Sequence, residues 1–504
     1  MSVCRHCVLF VAIAGLSSAL PSQLAITTAY ADPPWTDLGD AVFGIGDGDG
    51  DGVPDFVVHG MHYGPGYDEG RLQLISGATH AALGQVVAAP RTFGMAAAAA
   101  GDLNLDGGND VLVPYNAVLR AYRGSDLALL WTSPVQQIVT ACAIDDVDGD
   151  GRDDIAAIAY IGGSRLMVTL RGLNGSLITQ SLPLSTATSR IVSLGDIDGT
   201  GHHSVAVADN VAAGIYHAAS AQWLRDVTPA TGSRYIEYIA AANAAGNGRH
   251  ELLLSTDQAM FVCSPNTGQT IASYPLPYSM FTVVGDLNGD GYDDLALRDN
   301  LTRNGYTAAP SVAFASAVSG ALLSDWSRTA QFSMSVMAGV GDVDGDGFGD
   351  LLLGSSNASP VGGGGDGGWQ LVSGRIRPRN WIIPVTCYSG PFPPVLGMTP
   401  PTIGQTVTLV GRDCPPTAPG TLALSLQPPY PSSFGFPGCD AWFDVRNWVI
   451  VHQPAATSAW TYALPLPNAP QLAGIHVAVQ AFYVPTSSPI GFDLSNAIWS
   501  RIGF

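Results

Sequence analysis

One nine-residue pattern governs what this chain can fold into. It reads D-x-[DN]-x-D-G-x-x-D and runs straight into an apolar stretch. It occurs at Asp47, Asp49, Asp51 and Asp55; at Asp102, Asn104, Asp106 and Asp110; at Asp146, Asp148, Asp150 and Asp154; at Asp286, Asn288, Asp290 and Asp294; and at Asp342, Asp344, Asp346 and Asp350. Two weakened copies fill the middle, one from Asp196 to Ser204 and one from Asn243 to Glu251. The seven copies recur every 43 to 56 residues, the period of propeller blades. Around each lies a short apolar run on either side, and a run ending near Ser-Gly or Thr-Gly follows, as in Arg71–Gly77 and Trp369–Gly374. Each unit thus offers three or four short strands. A lone sheet of that size cannot bury both faces, and radial stacking solves the problem. Only 12% of residues are charged, with 60 Gly and 35 Pro, which suits strands and turns better than amphipathic helices. The expected fold is all-β: a seven-bladed β-propeller.

Carboxylates at positions one, three and five of a tight loop point at a common centre. The Gly after position five allows the sharp turn, a carbonyl near position seven can add a ligand, and the Asp at position nine completes an all-oxygen cage suited to Ca²⁺. Unneutralised, such carboxylates would repel one another and raise their own pKa values. An EF-hand begins alike but needs Glu at position twelve and flanking helices. Here position twelve is Val58, Val113, Ala157, Leu297 or Leu353, inside an apolar strand. About five Ca²⁺ sites are therefore expected, one per complete loop. Thr200, Ser204 and Ala245 replace ligands in the weakened copies, which are expected to be empty or weak. Eighteen of the 41 Asp and Glu residues stand at the ligand positions of the five loops, so bound cations would cancel much of the formal charge of −20. That charge argues against nucleic acid and anionic membrane surfaces as partners.

The loops, the apolar strand leading into each and the downstream Ser-Gly turn resemble FG-GAP and VCBS repeats, the blades of integrin α-subunit propellers and of many secreted bacterial proteins. Phe93-Gly94, Phe281 and Phe332 stand where that family has its Phe-Gly element. The resemblance covers about residues 35 to 380 and implies a calcium-stabilised scaffold, with the metal loop structural and at the blade periphery. It carries over no catalytic residue. No Arg-Gly-Asp, no D-x-S-x-S metal site and no transmembrane stalk accompany it.

Arg5 and His6, an apolar run from Val8 to Leu20 and the small residues Ala29-Tyr30-Ala31 read as a secretory signal over residues 1–31, cut before Asp32. The run is shorter than a membrane span needs. The propeller is expected over 32–381, with Trp35–Gly44 completing its last blade or beginning its first. A Pro-rich linker over 382–394 and a small β-sandwich over 395–504 follow. Cys142 and Cys263 lie in apolar strands and read as buried thiols; two of Cys387, Cys414 and Cys439 could pair in an oxidising compartment. Trp442, Trp448, Trp460 and Tyr483 could form a sugar-stacking surface, though their strand positions favour core packing.

Catalytic constellations are scarce: there is no G-x-S-x-G, no H-E-x-x-H and no phosphate-binding glycine loop. The glycine run Val361–Gly368 has no helix after it. His59 with His62, or His202 with His203, could hold a transition metal, but hydrogen-bonded loop histidines are commoner. Asp145, Asp153 and Asp293 read as solvated neighbours of the loops. The expected function is a secreted or surface-attached, monomeric, calcium-binding protein for adhesion or scaffolding, with a glycan or protein ligand. An extracellular lectin and a calcium-dependent polysaccharide lyase or hydrolase are the rivals.

Overall fold

The computed structural model describes residues 25–504 apart from 32–35, 65–66, 230–234, 246–247, 257–258, 275–279, 299–311, 327–333, 357, 359–366, 384–386, 390–392, 427–431, 434–439, 443–447 and 489–490. Phe332 and most of the glycine run fall outside the described residues. Among those described, seven four-stranded antiparallel sheets form, each with its strands in chain order except the last. The first strands of successive sheets touch in a closed ring, the first strand of blade 7 (Val336–Gly341) meeting that of blade 1 (Val42–Gly46). This is the seven-bladed propeller expected.

Burial explains why each strand has its sequence. Second strands lie between neighbouring blades on both faces, so Asp154–Ile161, Glu251–Thr256 and Asp350–Ser355 are near-continuous apolar runs. The outermost strand of blade 1, Ala82–Ala88, is wetted on one side and mixes exposed with half-buried positions. Apolar clusters span the seams: Leu72, Leu74 and Phe93 of blade 1 pack with Val111, Val113 and Tyr122 of blade 2.

Of the two places expected for Trp35–Gly44, Val42–Gly44 takes the second, at the start of blade 1. Leu38 makes only a single bridge to Gly367, and Val42–Gly46 is the innermost strand of blade 1. The outermost strand of blade 7 is Ala25–Tyr30, which pairs antiparallel with Gly368–Val372. Behind it, Val42, Phe56 and Val58 of blade 1 pack against Val340, Leu352 and Trp369 of blade 7, with Phe56 and Trp369 edge to face at 5.0 Å.

After blade 7 the chain enters two further sheets. Arg379–Ile383 pairs with Ala497–Arg501 in the larger one, and Val395–Met398, Thr406–Arg412 and Trp460–Pro465 form the smaller. Of the Pro-rich stretch, Ile382 and Ile383 end a strand. The two sheets face each other across Val407, Leu409, Leu422, Val477 and Val479, and this core is continuous with Phe314, Trp326 and Leu353 of blades 6 and 7. Arg501, 1% exposed, ties the two parts: it donates to the Arg377 carbonyl at 2.9 Å and approaches Asp325 of blade 6 at 3.5 Å. Trp460 and Tyr483 are buried, the indole N–H donating to the Tyr483 hydroxyl at 3.0 Å, so packing is their role. Trp448 packs edge to face on Phe482 at 5.8 Å. Cys387 is disulfide-bonded, whereas Cys142, Cys263 and Cys414 are free thiols. No helix among the described residues is long and apolar enough to cross a membrane.

Candidate metal centres

Each acidic loop joins the innermost strand of its blade to the second strand. In blade 1, the Asp47 carboxylate accepts from the N–H of Gly50 at 2.7 Å and of Gly52 at 2.9 Å, curling the loop around itself. Gly50 and Gly52 have φ of 81° and 90°, where a side chain would be strained. Asp49 accepts from Asp51 N–H and Asp51 from Val53 N–H, at 3.2 and 2.9 Å. The same bonds recur in the other loops, for example Gly151 to Asp146 at 2.7 Å and Gly347 to Asp342 at 2.9 Å.

The Asp at position nine is the buried anchor. One oxygen of Asp55 accepts from Gly48 N–H at 3.0 Å, inside the loop; the other accepts from Gly77 N–H at 2.8 Å, in the turn after the third strand. Asp110 binds Leu103 and Gly124, Asp154 binds Val147 and Gly172, and Asp350 binds Val343 and Gly374 likewise. This accounts for the repeated Gly in that turn: a Cβ on Gly77 or Gly172 would overlap the carbonyl oxygen of Pro54 or Asp153. Blade 6 has Ala317 at this place, and one oxygen of Asp294 has no hydrogen-bond partner.

Three loops bring ligand atoms from positions one, three and nine within 4.8 Å of one another: Asp47, Asp49 and Asp55; Asp146, Asp148 and Asp154; Asp342, Asp344 and Asp350. These triads can hold a metal ion. The position-five residues Asp51, Asp150 and Asp346 stand outside the triads. In blades 2 and 6 an Asn occupies position three, and its amide N–H donates to the position-five carboxylate, Asn104 to Asp106 at 2.9 Å and Asn288 to Asp290 at 3.0 Å. Asp102 and Asp286 curl those loops as in blade 1.

Electrostatics show that the anchors lack charge compensation from the protein. Burial pushes Asp110 and Asp154 up to about 6, Asp350 to about 7 and Asp294 to about 8, and neighbouring loop carboxylates add to the effect. Asp55 is raised by the same burial. A cation at the centre would remove the penalty, since opposite charge favours the ionised form.

The weakened copy in blade 4 keeps the loop shape. Asp196 accepts from Gly199 and Gly201 N–H at 2.7 and 3.0 Å, but buried Ser204 leaves its hydroxyl without a partner where the other loops have an Asp. In blade 5, Glu251 reaches back to the N–H of Ala244 and Ala245, both at 2.9 Å.

Three acids expected to be solvated instead clamp the seams between blades. Asp293 of blade 6 accepts from Asn243 N–H of blade 5 at 2.7 Å. Asp153 of blade 3 accepts from Asp102 N–H of blade 2, and burial raises its pKa. Asp145 of blade 3 accepts from His203 N–H at 2.7 Å and pairs with His202 at 2.9 Å. His59 is buried and its Nε2 lies 3.0 Å from the Arg91 carbonyl, so it serves packing; the side chain of His62 lies outside the described residues. The loops therefore sit at blade seams and not simply at the periphery: Asn109 N–H also donates to the Asp47 carbonyl at 2.8 Å.

Two concavities lie elsewhere. An apolar cavity of about 290 Å³ between the C-terminal sheets is lined by residues such as Leu409, Leu464 and Val477. An open cleft of about 680 Å³ runs between the outer strands of blades 3 and 4, along Gln180, Leu182, Tyr216, Gln222 and Trp223.

Fold and loops together define a class: a seven-bladed β-propeller with metal-ready acidic loops at its blade seams. No protein-family model matches the chain, and no curated protein sequence matches it. Among solved structures it is similar to BBS1N in complex with ARL6DN, at 12% identity and a TM-score of 0.47, covering 70% of this chain and 97% of that one. It is also similar to a protein of unknown function from Bacteroides caccae, at 11% identity and a TM-score of 0.33, covering 55% and 95%. A third is the V. cholerae biofilm matrix protein Bap1, at 13% identity and a TM-score of 0.31, covering 81% and 66%.

Proposed function

We propose that this chain is a secreted propeller of the FG-GAP/VCBS type that binds Ca²⁺ in five blade loops and serves outside the cell as a binding or scaffold protein. The ligands are the Asp and Asn residues at positions one, three, five and nine of blades 1, 2, 3, 6 and 7. The observation that supports this reading is the Asp triads built alike in three blades, each around a buried carboxylate with a raised pKa. All-oxygen donor sets of this charge favour a hard cation of Ca²⁺ size. The loops join neighbouring blades, so metal there stabilises the ring. Titration of chelator-stripped protein by calorimetry should register about five Ca²⁺ and a melting temperature raised on the order of 10 °C or more. Absence of both binding and shift refutes the calcium assignment.

The cleft between blades 3 and 4 favours a glycan as the ligand. Trp223 is 52% exposed and its indole N–H is held by Asp226 at 3.1 Å, fixing a flat apolar face toward solvent. Gln180 and Gln222 supply amides beside it, and an aromatic face with nearby amides suits a sugar ring. Trp223→Ala should lower binding to immobilised oligosaccharides by tenfold or more without changing the melt. A glycan array that stays blank for the parent protein removes the lectin reading and leaves protein ligands.

A further inference from the structure

The outermost strand of blade 7 is the observation that reaches furthest. In the other six blades the fourth strand follows the third along the chain, and in blades 3, 4 and 5 it is largely wetted: Leu177–Gln180, Gln222–Val227 and Thr270–Tyr274 carry exposed and half-buried positions, with Val227 alone buried. Blade 7 has no such successor, because after Val372 the chain departs for the C-terminal sheets. Its third strand, Gly368–Val372, is nevertheless buried at all five positions, as are the third strands Met260–Cys263 and Val312–Ser316 in blades that have a fourth. The cover is Ala25–Tyr30, whose burial is that of a fourth strand. Thr28 pairs with Gln370, whose amide donates to the Thr28 hydroxyl at 2.9 Å, and Ala31 N–H donates to the Gly367 carbonyl at 2.9 Å. Ile26 and Ala29 pack on the core between blades 7 and 1, and Tyr30 on the core shared with the C-terminal sheets.

A leader cut before Asp32 would remove this strand and leave the backbone of Gly368–Val372 as an open edge at the joint of the ring. We infer that the leader is cut upstream of Ala25, after Ala19, and that Ala25–Tyr30 is the closing strand of the mature protein. The inference rests on the export reading above. Ser17-Ser18-Ala19 places small residues at the first and third positions before the scissile bond, at the C-terminal end of the apolar run. Water adds across the Ala19–Leu20 amide in the cell's leader peptidase, leaving a carboxylate on Ala19 and an α-amine on Leu20.

The test is to express the full chain with its own leader in a host that exports it, then sequence the N-terminus and weigh the exported protein. The expected sequence begins Leu20-Pro21-Ser22. Ala19→Tyr should block the cut, and Ala31→Tyr should leave it in place. A chain built to begin at Asp32 should melt lower by roughly 10 °C or more. An exported protein beginning at Asp32 overturns the inference while leaving export intact; a full-length chain kept inside the cells overturns both.

Discussion

The acidic loops of blades 1 to 3 and those of blades 6 and 7 share one sequence pattern and differ in what covers them. In blades 1 to 3 the position-five residues Asp51, Asp106 and Asp150 are exposed. In blades 6 and 7 their counterparts Asp290 and Asp346 are half-buried, because the C-terminal sheets lie on these loops. Pro470 sits against Gly289, and the Phe504 ring packs on Phe348 with centroids 4.6 Å apart. Asn288 is buried to 6% exposure, while Asn104 is only half-buried. The anchoring carboxylates follow suit: about 6 at Asp110 and Asp154, about 7 at Asp350 and about 8 at Asp294, with burial the first cause in each. A motif sets which groups meet, and the surroundings set how much a cation is needed there. A cation bound in blades 6 and 7 would therefore support a joint between two parts of the molecule as well as a seam between blades.

The largest effect that separates the two groups is the pH dependence of the metal-free protein. A carboxyl whose folded pKa is raised holds a proton that the unfolded chain, near 4, has already lost. Its contribution to stability is full below about pH 4 and disappears as pH rises through the folded value. With chelator, stability should fall between pH 4 and 8 by several kcal/mol, the loss ending near 6 for blades 2 and 3 and extending to 7 or 8 for blades 7 and 6. With saturating Ca²⁺ the trend should reverse, since binding needs the ionised form and releases protons. Thermal melts with and without chelator across this range check it. Parallel pH profiles would show that the anchors do not bind the cation.

Next in size is the cover itself. Phe504→Ala deletes a half-buried ring over the blade 7 loop and should cost about 2 kcal/mol of unfolding free energy. The control is Leu105→Ala in the blade 2 loop, where the side chain is 53% exposed and the change should stay within about 0.5 kcal/mol. Denaturant melts in excess Ca²⁺ compare them. Equal effects would mean that the C-terminal contact adds nothing to the blade 7 loop.

Seven blades and five full loops were legible because each motif is local: nine residues specify turn, charges and the following strand. The closing strand was not. Ala25–Tyr30 carries no motif, and its partner Gly368–Val372 lies more than 340 residues away, as Thr28 to Gln370 shows. Its small and β-branched residues also fit the end of a leader, so the local reading had a competing explanation. Nor could spacing show that Pro470 and Phe504 would cover two loops and leave three open. The seam clamps left a fainter signal. Asp153-Asp154 and Asp293-Asp294 are acidic doublets, and the first acid of each exceeds what the metal needs. Surplus charge beside a cage points to a second task, here an N–H of the preceding blade.

The smallest effect sharpens the comparison to one atom. Blades 6 and 7 are both covered, yet Asp294 is raised further than Asp350. Asp350 accepts from Gly374 N–H at 2.9 Å, and its counterparts accept from Gly77, Gly124 and Gly172 at 2.8, 3.0 and 2.8 Å. Only in blade 6, among these five, is the turn residue an Ala, and there the second carboxylate oxygen has no hydrogen-bond partner. A Cβ at this place meets the carbonyl before the anchor, so the turn cannot come close enough to donate. Ala317→Gly should let it approach. A hydrogen bond to a carboxylate contributes about 1.5–3 kcal/mol, and the added backbone freedom of Gly offsets about 0.5–1 kcal/mol. The net gain of about 1 kcal/mol should lower the pKa of Asp294 and tighten Ca²⁺ binding in blade 6 severalfold. The converse, Gly172→Ala, should weaken the blade 3 site by a similar or larger factor, with site affinities resolved by calorimetry on both variants. If Ala317→Gly leaves the blade 6 affinity unchanged, the high pKa of Asp294 comes from the C-terminal cover alone, and the turn glycine matters only for packing.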